Sequence, residues 1–203
     1  MSRRLLLATR SRHKIEELRQ MLALPGVELV SPDDVGIEGE PVEDAATFRE
    51  NARIKARYYA SRSGLPTLAD DSGLEVDALD GGPGVFTKRY AGAQASDRDN
   101  NRKLLAALDG VPVEQRAARY ICVLAFVESS DSEMVFTGGT FEGRIAVSAR
   151  GDGGFGYDPI FEPVDEPPEG RTVAQMTAAQ KNQRSHRGEA ARAMAQHLRA
   201  QGW

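Results

Sequence analysis

Cysteine is almost absent from this 203-residue chain. Only Cys122 occurs, inside the apolar run Tyr120-Ile121-Cys122-Val123-Leu124. A lone cysteine cannot close an internal disulfide, and in that setting it reads as a buried core thiol rather than a nucleophile or ligand. Such usage fits a reducing cytoplasm. Long hydrophobic runs are also missing, and none approaches the ~18 residues of a membrane span. The start, Met1-Ser2-Arg3-Arg4 followed by Leu5-Leu6-Leu7-Ala8, begins like a secretory signal but turns polar at Thr9-Arg10. Its apolar part falls short of the ~7 to 15 residues of a signal core. A first buried strand is expected there instead. Excess positive charge is lacking too: 26 Lys and Arg face 30 Asp and Glu, a net charge of -4. That balance argues against a general nucleic-acid binder, which carries a basic footprint, and leaves room for a local basic pocket. Internal repeats and low-complexity linkers are absent as well.

What remains is an ordinary globular composition, 40% hydrophobic and 28% charged. A chain of this length buries roughly 70% of its unfolded surface and can fold without disulfide or metal. A single domain over residues 1–203, or two tightly joined lobes, is expected. Periodicity predicts a strand at 4–8, a helix at 11–23 with Ile15, Leu18, Met21 and Leu22 inward, and a strand at 27–30. Thr47-Phe48-Arg49-Glu50 has the form of a capping box and opens a helix to about Arg62. A short strand is expected at 67–69, another strand or a turn of helix at 74–76, a loop at 81–84 and a helix at 96–108. Two long antiparallel strands follow at 119–128 and 133–141, then a third at 144–149 and a final helix at 188–200. The Pro-rich stretch 163–168 reads as a surface loop. This order implies an α/β fold with a mixed central β-sheet flanked by helices.

Four segments can carry chemistry. The first is the turn Thr9-Arg10-Ser11-Arg12-His13-Lys14, where a strand meets a helix start. Unbonded backbone N–H groups and the helix dipole favour a phosphate there, and Thr9, Ser11, Arg12 and Lys14 add donors. The plainer reading is a solvated N-cap with Ser11 as the cap; a Walker loop is excluded because its glycines and Gly-Lys-Ser/Thr ending are missing. The second is Asp70-Asp71-Ser72-Gly73, expected at a strand end. Adjacent aspartates are costly to bury without a cation or hydrogen bonds, and such a position suits Mg²⁺. The acidic loop with Glu38, Glu40, Glu43 and Asp44 offers partners; an ordinary Asp-Ser-Gly turn is the alternative. The third, Gly151-Asp152-Gly153-Gly154-Phe155-Gly156-Tyr157-Asp158-Pro159, lets a flat ligand approach the backbone beside an aromatic ring; a glycine hinge with core aromatics is its rival. The fourth is Lys181 with Ser185-His186-Arg187, donors placed just before the last helix. His13 and His197 read as surface side chains.

Taken in order, Glu50-Asn51-Ala52-Arg53-Ile54-Lys55-Ala56, Asp70-Asp71-Ser72-Gly73, Phe155-Gly156-Tyr157-Asp158-Pro159 and Ser185-His186-Arg187-Gly188 resemble the motifs of the inosine triphosphatase family. They span nearly the whole chain. One segment departs: the family's Thr-Gly-Asn-x-x-Lys stands here as Thr9-Arg10-Ser11-Arg12-His13-Lys14, with Arg10 for glycine and Ser11 for asparagine. A lost hydrogen bond to a charged acceptor is worth ~1.5 to 3 kcal/mol, so reduced efficiency is expected unless Arg10 and Arg12 compensate.

The resemblance implies two lobes with an active-site cleft, a homodimer, and hydrolysis of ITP, dITP or XTP to the monophosphate and pyrophosphate. It implies Mg²⁺ on Asp71 with Glu43 as partner. Asp71, then Asp70, is expected as the base, with Lys14, Lys55 and the amides at 11–13 on the pyrophosphate. The nucleotide contacts implied are Thr9, Arg10, Ser11, Arg12, His13, Lys14, Lys55, Ser72, Phe155, Gly156, Tyr157, Asp158, Lys181, His186 and Arg187. Phe155 is expected to stack on the base. Lys181, His186 and Arg187 would donate to a 6-keto oxygen, leaving adenine's 6-amino group facing donors. Exclusion of guanine must then rest on its 2-amino group. An aspartate base near ~3.9 is weak at neutral pH, so an alkaline optimum is expected. Two rivals stay open: a pyrophosphatase for other modified nucleotides, and a nucleotide-binding sensor without turnover.

Overall fold

Strand β1 (Arg3–Leu7) shows why the N-terminal leucines are continuous. Leu5 and Leu7 enter one hydrophobic cluster while Leu6, followed by Ala8, enters another. Alternate side chains of a strand point to opposite faces, so a strand covered on both sides must be apolar at every position. In the computed structural model, which describes residues 3–203, the expected first strand is therefore present; Met1 and Ser2 lie outside the described residues.

The remaining elements follow in chain order: α1 (Arg12–Leu22), β2 (Val27–Val30), α2 (Phe48–Ser63), β3 (Thr67–Val76), β4 (Pro83–Gly84) and α3 (Asp97–Ala107). Then come β5 (Ala117–Val127), β6 (Met134–Ile145), β7 (Phe161–Pro163), α4 (Ala178–Arg184) and α5 (His186–Ala200). The strands pair in the order β2-β1-β3-β5-β6-β7, with β4 on β3. β1 is parallel to β2 and β3, whereas β4 on β3 and β7 on β6 are antiparallel. The sheet is mixed, and the α/β class expected from the element order is observed.

Two compact units divide the chain. The first holds the residues up to Asp71 together with 122–139 and 186–203. One of its clusters joins Leu18 and Leu22 of α1 with Met194 and Leu198 of α5 over Leu5, Leu7, Leu68, Cys122 and Leu124. The other joins Ala52, Ala56, Tyr59 and Ala60 of α2 with Leu6, Ala69, Ala125 and Val127. Cys122 is a fully buried core thiol, as its surroundings predicted. The second unit, residues 72–121 and 140–185, is built around Leu74, Leu104, Leu108, Tyr120, Phe141, Tyr157, Ile160 and Phe161.

Four expectations need correction. The Asp-Asp-Ser-Gly segment is not a strand end or turn: β3 runs unbroken from Thr67 to Val76. It is paired to β1 through Leu68, to β4 through Leu74 and Glu75, and to β5, so the backbone stays extended. Part of the expected 81–84 loop thus forms β4. The final helix begins at His186 rather than 188, and a separate helix α4 carries Lys181, capped by Thr177 with Gln180. No strand starts at Arg144: β6 continues to Ile145, and 146–149 is irregular. Thr47 does cap α2 by accepting from the Glu50 amide, while the Glu50 carboxylate pairs with Arg53.

Candidate active site

Strand alternation decides the fate of the two adjacent aspartates. In the first unit, Asp70 continues the face of Leu68 and meets Arg187, Lys14 and Cys122. Arg187 Nε donates to Asp70 Oδ2 at 2.9 Å, the Cys122 thiol donates to the same oxygen at 3.3 Å, and the Lys14 ammonium pairs with Oδ1. Burial alone would raise this carboxyl, but Arg187 and Lys14 outweigh it and hold Asp70 well below the usual carboxylate range. Arg187 also reaches Glu17 of α1 through Nη1 at 2.6 Å. Burial and Asp70 push the Cys122 thiol up, so it stays protonated.

Asp71 faces the other way, toward α2. Its Oδ1 lies 3.2 Å from the Lys55 ammonium, which also contacts Glu43 Oε2 at 2.7 Å and the Asp70 carbonyl at 2.9 Å. Burial pushes the Asp71 carboxyl up to about 6, and the charges of Glu43 and Asp70 add to that rise against the lowering pull of Lys55 and Lys14. This corrects the expectation of a carboxyl near ~3.9. Burial opposes the Lys55 charge, but Asp71 and Glu43 together hold its pKa above the usual value. Two carboxylates, Asp71 and Glu43, therefore converge on the buried Lys55 ammonium. Among the described residues no group of three or more His, Cys, Asp or Glu gathers as a metal cage. A pair of carboxylates suits Mg²⁺, which is held by one or two carboxylates and completes its shell with water and phosphate oxygens.

The strand–helix turn is more committed than its sequence suggested. Ser11 is the N-cap of α1, accepting from the Lys14 amide, and its own N–H donates to Thr9 Oγ1 at 3.2 Å. Arg12 and His13 are exposed. Arg10, expected to compensate at the phosphate, instead points its guanidinium into the acidic loop. It donates to Asp33 at 2.8 Å, the Ile37 carbonyl at 2.5 Å, the Gly39 carbonyl at 2.9 Å, Glu40 at 3.3 Å and the Tyr59 hydroxyl at 3.0 Å. Arg10 is a strut for the loop that leads to Glu43.

His186 and Arg187 open α5 and are buried within the first unit. The helix start lies so close to β6 that a Cβ on Gly139 would collide with the His186 carbonyl oxygen. Arg187 thus belongs with Asp70, Lys14 and Glu17, which differs from the expected placement beside the base.

The second unit carries the aromatic motif. Asp158 is buried and accepts from three donors: the Phe155 amide at 2.9 Å, the Lys181 ammonium at 2.7 Å and the Tyr120 hydroxyl at 3.3 Å. Burial, reinforced by Asp158, pushes Tyr120 well above its usual value, so it stays a donor. Lys181 also stands over the Phe155 ring, 4.0 Å from its centroid. Gly154 permits this arrangement: its φ is +72° and a Cβ there would strike the Asp158 carboxylate. Tyr157 is core and donates to the Thr87 carbonyl, so Tyr157 and Asp158 shape the loop from beneath. Ser72, half-buried, follows Asp71 on β3.

Glu17 and Tyr120 complete the two groups. Glu17 could have been found as the carboxylate one turn after Lys14 on the same helix face. Tyr120, hidden in an apolar strand, carried no signal.

These features define an α/β protein of mixed sheet, with acidic and basic side chains paired at a strand–helix turn and an aromatic glycine loop backed by a buried aspartate. The Ham1 family model matches residues 5–197, and the chain belongs to that family. It is similar to a dITP/XTP pyrophosphatase of Methylococcus capsulatus, 48% identical over 98% of both chains. One from Thioalkalivibrio sulfidiphilus is 46% identical, covering 96% of this chain and 98% of its own. A solved structure of a HAM1 protein from Coxiella burnetii matches with a TM-score of 0.88 and 38% identity, over 98% of this chain and 99% of that one. The resemblance drawn from the four motifs is borne out.

Proposed function

We propose that the chain hydrolyses damaged purine nucleoside triphosphates, ITP, dITP and XTP, to the monophosphate and pyrophosphate, and so cleanses the nucleotide pool. The observation that carries this reading is the convergence of Glu43 and Asp71 on buried Lys55, in a chain nearly half identical to a dITP/XTP pyrophosphatase. Asp71 and Glu43 are the residues that would hold Mg²⁺, which when bound neutralises phosphate charge and favours ionisation of water. Asp71 takes the proton as water adds to the α-phosphorus and the bond to the bridging oxygen breaks. Lys55 and Lys14 stabilise charge gathering on the leaving pyrophosphate. Asp70 is ion-paired and holds Lys14 and Arg187 in place; it is not the second base.

Phe155 stacks on the base, and Lys181 beside it donates to the 6-keto oxygen. Homodimer formation is part of this reading on the family resemblance alone, and light scattering on the purified protein tests it. A cytoplasmic location is supported by the single buried thiol, and among the described residues no helix is long and apolar enough to cross a membrane. The decisive assay is product analysis with inosine, xanthosine, adenosine and guanosine triphosphates, with and without Mg²⁺. Pyrophosphate should appear from the first two, only with the metal. Orthophosphate, or binding without turnover, would overturn the proposal.

A further inference from the structure

Helix α3 has no assigned part in the chemistry, yet it holds the aromatic loop by the backbone of a single residue. Asp97, in the first turn of α3, accepts the Gly156 N–H through Oδ2 at 2.7 Å. One turn later, Asn101 donates to the Gly156 carbonyl through Nδ2 at 3.1 Å. Both backbone groups of Gly156 are thus tied to one rigid helix. Gly156 has a φ of +62°, in the region where glycine has the greatest freedom, so its conformation must be held from outside. The neighbouring amide, that of Phe155, is bound by Asp158. Asn101 adds an independent clue: it is only 8% exposed, and its Oδ1 has no hydrogen-bond partner among the described residues. An unpaired buried acceptor is a net cost to stability, so the bond from Nδ2 to Gly156 is what that amide contributes. Asn100 makes the corresponding bonds to the Ala91 amide and the Lys88 carbonyl, leaving α3 itself firmly seated.

We infer that Asp97 and Asn101 are positioning residues that clamp Gly156 and thereby fix the plane of the Phe155 ring for the nucleotide base. The inference rests on the reading of Phe155 as the stacking residue, and it deepens that reading by naming what orients the ring. Asp97 needs only to accept, so Asp97→Asn should retain function where Asp97→Ala does not. Asn101→Leu removes the donor together with the orphaned oxygen, so it should leave thermal stability unchanged or higher while loosening the loop.

The test is steady-state kinetics with inosine triphosphate on the full chain, with pyrophosphate inhibition measured alongside. Asp97→Ala and Asn101→Leu should each raise KM about tenfold, the order expected when the loss of one hydrogen bond leaves the loop to be ordered on binding. kcat should stay within about twofold and the pyrophosphate inhibition constant should not move. Asp97→Asn should behave as wild type. Phe155→Ala is the reference: if it leaves KM unchanged, the stacking reading itself fails. If Phe155→Ala raises KM but Asp97→Ala and Asn101→Leu do not, the clamp is refuted. A parallel loss of kcat, or weaker pyrophosphate inhibition, refutes it equally.

Discussion

Exchanging Asp70 and Asp71 one at a time for asparagine should produce opposite changes in stability, although the residues are neighbours. Asp70 is buried with Arg187 and Lys14, and its loss leaves those cations with one acceptor fewer inside the fold. Removing one partner of a buried pair costs about 3 to 5 kcal/mol, which for a chain of this length lowers Tm by roughly 6 to 20 °C. Asp71 behaves differently because burial holds its carboxyl up at about 6. Relative to an unfolded aspartate near ~3.9, the ionised form costs the fold about 3 kcal/mol at neutral pH. The neutral amide introduced by Asp71→Asn would not carry that cost, and its carbonyl can still accept from Lys55. Asp71→Asn should therefore be as stable as wild type at neutral pH, or more stable by up to about 3 kcal/mol.

The pH dependence separates the two further. A raised carboxyl contributes stability that is fully present below the unfolded value and is lost as pH rises through about 6. The advantage of Asp71→Asn over wild type should thus grow between about pH 4 and about 6 and then level off. A depressed carboxyl contributes stability present above the unfolded value and lost as pH falls through its own lower one. The deficit of Asp70→Asn should be constant at neutral pH and shrink in acid. The assay is urea unfolding of the metal-free protein across this range, with pyrophosphate release measured in parallel. Turnover by Asp71→Asn should fall below about a tenth of wild type with the fold intact. Equal destabilisation by the two exchanges, or a larger loss from Asp71→Asn, would refute the assignment of the aspartates to opposite faces with separate tasks.

Other consequences are as direct. Magnesium should raise Tm of the wild type with the logarithm of its free concentration above Kd, and Glu43→Gln should abolish that rise; an undiminished rise would remove Glu43 from the site. Arg10→Ala deletes five donor contacts to the acidic loop and Tyr59, so hydrogen exchange across residues 33–43 should accelerate. Unchanged exchange would show that the loop holds itself. In the second unit, Glu162 is fully buried between Arg144 and Arg150, and Glu162→Gln should cost about 3 kcal/mol by calorimetry while leaving KM alone.

Much of the framework was legible along the chain. The leucines of β1, the Ser11 and Thr47 caps and the 3.6-residue spacing of α1 are local signals, each dictated by backbone geometry and solvent exposure. The motif order identified the family for the same reason, since side-chain types at set spacings survive in the sequence itself. Arg10 and Arg187 were misplaced because a long cation shows nothing in sequence about which acceptor it will reach. The continuity of β3 is hidden in the sequence because Asp and Gly are poor strand formers, and pairing with β1, β4 and β5 keeps them extended. By itself, the sequence determined the α/β class, the family, and which residue types are available for phosphate chemistry. Tertiary structure alone decided how those residues are shared out. Strand alternation turns Asp70 toward Arg187 and Asp71 toward Lys55, and burial then drives one carboxyl up while the cations around the other hold it down.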